Sequence, residues 1–147
     1  MKKALFLLAL LAAGAVVAHY HVQNQHYFPV TLMESSDGYS FHMVQDRVKT
    51  RGACGEANDR FVEPLKVQCP QCRIVYARCA RELQGLELQL LMGEPVPLHV
   101  VVAPGLRMAL EGSSPDLRRA CEELAASIVR TGVPSAACAY PGTMRRP

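Results

Sequence analysis

This 147-residue chain lacks every short motif that would commit it to a reaction: no Gly-rich phosphate loop, no strand-turn-helix serine elbow, and no defensible Ser-His-Asp or Cys-His arrangement. Its carboxylates make no evident acid–base pair, since Glu122 and Glu123 fall on the polar side of an expected helix and Asp37 belongs to a turn. No catalytic residue and no cofactor is expected on these grounds. A basic field is missing as well. Setting aside residues 1–18, which hold Lys2 and Lys3, 14 basic residues face 13 acidic ones, a net charge of +1, and Arg145 with Arg146 reads as a solvated tail. Nucleic-acid binders draw affinity from clustered Lys and Arg, so no nucleic-acid partner is expected. Nor is there an apolar run that crosses a bilayer at ease, which takes roughly 20 residues.

The N-terminus does carry a shorter run. Lys2 and Lys3 precede 15 residues, 4–18, without one polar side chain, the size of a secretory signal core. Small residues place cleavage near Ala15 or Ala18, and the mature chain is then periplasmic or secreted. A retained segment would instead anchor the chain in the inner membrane, the one case in which it contacts lipid. No cysteine near the junction offers a thiol for acylation. About 129 of the 147 residues remain, enough for one domain with a modest core. Residues 19–37 read as a polar arm, 38–141 as a single domain and 142–147 as a tail.

Within the domain, Tyr39, Phe41 and Met43 alternate after the Asp37–Gly38 turn signal and predict a strand over 39–48. Cys54, Asn58, Phe61 and Leu65 recur at helical spacing and predict a helix over 53–68 that Pro64 kinks or splits. Residues 73–79 are β-branched and aromatic in the manner of a strand, and 81–92 favour a short helix. The continuous apolar run 98–103 predicts a central strand buried on both faces. Leu106, Met108 and Leu110 then alternate, so that Pro104–Gly105 either turns a hairpin or bends one long strand. Ser114 as cap and Pro115 as first helical residue open a helix whose apolar stripe is Leu117, Cys121, Leu124 and Ile128; residues 135–140 form a last strand. No internal repeat is detectable, although the two halves share a helix-turn-strand plan.

Six cysteines in an oxidising destination predict disulfides, with fifteen complete pairings open. Helix and strand rises narrow them. From Cys54 to the following turn is about 22 Å of helix, and from the turn to Cys79 about 23 Å of strand. From Cys121 to Gly132 is about 16 Å, and from Pro134 to Cys138 about 13 Å. If each strand packs beneath its own helix, Cys54 meets Cys79 and Cys121 meets Cys138, which leaves Cys69 to Cys72.

Cys69-Pro70-Gln71-Cys72 resembles the dithiol motif of thioredoxin-like oxidoreductases in spacing and in the proline after the first cysteine. In that family the motif opens a helix, whose N-terminal amides lower the first thiol's pKa. Here a helix precedes the pair and a strand follows, so a structural disulfide is expected instead. One CxxC with scattered cysteines does not make a zinc site. His19, His21 and His26 are loose metal-ligand candidates on the arm, read as solvated, and His42 and His99 sit inside predicted strands.

The element order predicts an α+β sandwich of split βαβ units, ferredoxin-like in its βαββαβ plan, with both main helices on one face of the sheet. Its expected role is an exported, non-catalytic binding or accessory domain for an envelope protein or extracellular ligand. The alternative is a periplasmic thiol-disulfide oxidoreductase using Cys69 and Cys72.

Overall fold

The computed structural model describes residues 25–112 and 116–143. The expected signal segment, His19, His21, Ser114 and the Arg145–Arg146 pair lie outside the described residues. Six strands and three helices follow in the order β1 (Phe28–Ser35), β2 (Tyr39–Gln45), α1 (Arg51–Gln68), β3 (Cys72–Ala80), α2 (Gly85–Met92), β4 (His99–Ala103), β5 (Leu106–Gly112), α3 (Leu117–Arg130), β6 (Ala137–Ala139).

All six strands join one antiparallel sheet in the order β3-β1-β2-β5-β4-β6. That order is palindromic. Each half is a hairpin followed by a helix and a strand that returns beside the hairpin's first strand: β1-β2-α1-β3, then β4-β5-α3-β6. The halves meet along β2 and β5, paired from Tyr39 opposite Gly112 to Gln45 opposite Leu106. The fold is α+β, but its plan is two ββαβ units, and the strand order departs from the ferredoxin-like one. The added strand is β1, which takes part of the segment read as an arm. Pro29, Val30, Thr31 and Met33 are all buried there, so both faces of the strand are covered and no alternation marks it.

Two cores follow from the two faces. Met43, Val101, Met108 and Leu110 point toward α3, where Cys121, Ala125 and Ile128 complete one cluster. Val30, Val44, Val100 and Ala109 point the other way, toward Leu90 of α2 and toward Val96. Helices α1 and α3 share a face as expected, but α2 covers the opposite one. Neighbours such as Met43 and Val44, or Val100 and Val101, put apolar side chains on both faces, and each face needs cover. Strand β4 is buried on both faces, yet it lies next to the three-residue edge strand β6, and β2 and β5 hold the centre.

Local chemistry accounts for the ends of the elements. Thr50 caps α1, its Oγ1 accepting from the Ala53 N–H at 3.0 Å, and the helix continues unbroken through Pro64. The cap position of α3 is Asp116, whose side chain makes no capping bond. Pro104–Gly105 makes a two-residue hairpin with Ala103 opposite Leu106, and Gly105 at φ 75° fills the positive-φ position that a type II turn requires. Asn58 anchors α1 to the sheet from a buried position. It accepts from the Thr31 hydroxyl and donates to the Arg78 carbonyl, both at 3.2 Å.

Candidate functional site: a groove between two helices

The three disulfides are Cys54–Cys79, Cys69–Cys72 and Cys121–Cys138, with Cα separations of 5.9, 5.3 and 5.6 Å. These are the pairs that the helix and strand rises imply. Two of them bind a helix to the strand that follows it: α1 packs on β1 and β3, while α3 packs on β4, β5 and β6. Each helix is therefore held over its own half, and the seam between β2 and β5 lies between them.

A groove results. At one end a cavity of about 280 Å³ is floored by Tyr39, Phe41 and Met108, and at the other a cavity of about 330 Å³ is floored by Gln45 and Leu106. Leu65 of α1 and Leu124 and Ser127 of α3 line both cavities, so the two adjoin at a waist between the helices. From Tyr39 to Gln45 the floor strand spans about 20 Å at the usual rise. Ligand seats are typically concave, mainly apolar and marked by a few polar groups.

The polar groups sit at the ends. Asp37, Gln71 and Glu123 border the first cavity, where Asp37 Oδ2 accepts from Gln71 Nε2 at 3.3 Å and Glu123 accepts from Arg119 Nε at 2.8 Å. Among the described residues Asp37 has no cationic partner within ion-pair distance. Arg60 borders the second cavity beside Gln45, whose Nε2 donates to the Ala57 carbonyl at 3.3 Å.

Cys69 and Cys72 also line the first cavity. Cys69 caps the C-terminus of α1, its N–H donating to the Leu65 carbonyl at 2.7 Å, and β3 begins at Cys72. The disulfide therefore faces the carbonyl end of a helix dipole and shares its cavity with Asp37 and Glu123. Both influences oppose a thiolate.

The remaining sequence candidates are dispersed. His26 precedes β1 with its Nδ1 enclosed and without a hydrogen-bond partner, and among the described residues no three His, Cys, Asp or Glu side chains gather into a metal cage. His42 on β2 lies 3.4 Å from Glu111. His99 on β4 meets the Tyr140 ring edge-on at 6.0 Å. Among the described residues no helix is long and apolar enough to cross a membrane.

Two polar clusters were not legible in the sequence. On the α2 face, Arg78 Nη2 donates to both oxygens of the largely buried Glu87, at 2.7 and 2.5 Å, and Tyr76 donates to the same carboxylate at 3.3 Å. Burial, then the Glu87 charge, pushes the Tyr76 phenol up, while the bond to Glu87 raises the Arg78 guanidinium. This cluster ties α2 to the edge strand β3. On the outer side of α3, Glu122 accepts from the Tyr140 hydroxyl at 2.8 Å and from Arg118 Nε at 3.0 Å. The Tyr140 bond first, then the Arg118 bond, holds the Glu122 carboxyl below the usual carboxylate range. The Arg118 guanidinium also lies 4.8 Å from the centre of the Tyr140 ring. The partners that each cluster joins across elements stand 9 to 18 positions apart, and no helix or strand periodicity announces either cluster. The chain matches no protein-family model, no curated protein and no solved structure.

Proposed function

We propose that this chain is an exported, non-catalytic binding domain whose ligand lies in the groove between α1 and α3. The observation that carries the reading is the pair of adjoining cavities over the β2–β5 seam, lined mainly by apolar side chains with polar groups toward both ends, between helices that disulfides hold to separate halves. Three disulfides in so small a domain fit an oxidising compartment. With the apolar segment 4–18 acting as an export signal, that compartment is the periplasm or the exterior. The partner is then an envelope protein or an extracellular ligand.

The oxidoreductase alternative is less well supported. Its two sulfurs border a cavity that would admit a substrate, but the helix end and the acidic neighbours act against the nucleophilic thiolate such an enzyme needs. Titration with the fluorescent probe anilinonaphthalene sulfonate tests the binding reading. The oxidised protein should show saturable binding at one site. Ser127→Phe and Leu65→Trp, which add bulk at the waist, should each abolish it while the urea unfolding transition is retained. Undiminished probe binding in both folded variants would overturn the assignment of the groove.

A further inference from the structure

The two ends of the groove differ in charge, and a waist separates its two cavities. Asp37 and Glu123 border one end, while Arg60 borders the other and has no acidic partner within ion-pair distance among the described residues. We propose that the groove binds an extended peptide segment of about six residues, with one apolar side chain in each cavity and a lysine or arginine against Asp37. The inference rests on the groove being the ligand seat, and adds to it the chemistry of the ligand.

The spacing favours a peptide. The first cavity is floored around Phe41 and the second around Gln45, a separation of four residues along β2, or about 13 Å. Side chains four positions apart on an extended peptide point the same way and are separated by the same length. Such a chain drops one anchor into each cavity as its backbone passes the waist formed by Leu65 and Leu124. The carboxamides of Gln71 and Gln45 stand at the two ends, where a peptide backbone offers N–H and C=O groups. An alkyl chain has nothing to offer those carboxamides, and a compact ligand fills one cavity only. Charge then orients the segment. A basic side chain at the first cavity meets Asp37, which has no cation within ion-pair distance among the described residues, whereas an acidic one there meets the Asp37 charge, that of Glu123 being engaged by Arg119.

Fluorescence anisotropy with labelled peptides tests this. Two reporter peptides carry leucines four residues apart on a serine-glycine background, with a lysine flanking the amino-terminal leucine in one and the carboxy-terminal leucine in the other. Matching peptides carry glutamate in place of lysine, and dodecylamine serves as an alkyl cation. One lysine peptide should bind saturably, and about five- to tenfold more tightly than its glutamate counterpart, the scale of a rim ion pair. Asp37→Asn, which keeps a residue suited to the turn, should erase most of that preference. Equal binding of the lysine and glutamate peptides overturns the proposed ligand chemistry. So does binding of dodecylamine with no peptide bound. In either case, retained dye binding at the groove keeps the binding-domain reading, and loss of dye binding to the wild-type protein removes both.

Discussion

Breaking the Cys121–Cys138 bond measures how far α3 depends on its tether. The bond closes a loop with a sequence separation of 17, and the chain-entropy relation gives about 3 kcal/mol for that loop at 25 °C. Total stability for a domain of this size is on the order of 5–15 kcal/mol, so the loss is large but survivable. The two partners are unequal. Cys121 is fully buried against Val101, Met108 and Leu110, whereas Cys138 is partly buried on the short strand β6. Cys138→Ala leaves a thiol at Cys121, which is content in an apolar core, and should cost about 3 kcal/mol. Cys121→Ala loses the same tether and also opens a small void, for a cost of roughly 3–4 kcal/mol. The double variant should cost no more than Cys121→Ala alone, because the tether is lost only once. Urea unfolding followed by circular dichroism reads these differences. The m-value should rise in all three variants, since an uncrosslinked unfolded chain exposes more surface. Single costs that add to about 6–7 kcal/mol in the double variant would refute the account of one shared tether.

The other expectations concern single groups. Tyr140→Phe removes the main cause of the lowered Glu122 pKa, so carbon-detected NMR should show that carboxyl titrating nearer its ordinary range. Because the folded-state pKa is the depressed one, the wild-type advantage exists above the unfolded pKa and fades as pH falls through the folded value; an unchanged Glu122 midpoint refutes the linkage. In the reduced protein, Cys69 should alkylate no faster than a free cysteine of pKa about 8.5, and turnover of a disulfide substrate would favour the oxidoreductase. Mass analysis of the native protein should find its first residue between Val16 and His19, and an intact Met1 in the membrane fraction would show the apolar segment to be an anchor.

Local order was the part of this protein that sequence could carry. Helix spacing from Cys54 to Leu65, the apolar stripe through Cys121 and Ile128, and the two rises per residue were enough to align each helical cysteine with its strand partner. They also put the CPQC pair at a helix end rather than at a helix start, because the segments on either side declare themselves by composition. Where burial is two-sided, that information disappears. Strand β1 looked like an arm because Val30, Thr31 and Met33 are all enclosed, and the polar Thr31 is tolerated there through its bond to Asn58, 27 positions away.

Only the tertiary structure decided which strands meet. The pairing of β2 with β5 joins residues such as Met43 and Met108 across more than half of the domain, and no local preference encodes it. That pairing sets the two ββαβ halves side by side, and the disulfides keep each helix on its own half. The groove is the space this arrangement leaves over the seam. Its floor, walls and charged ends come from β1, β2, α1, β5 and α3 together. Sequence periodicity reports which face of one element is apolar; it carries no term for the distance between two helices that each satisfy their own strands.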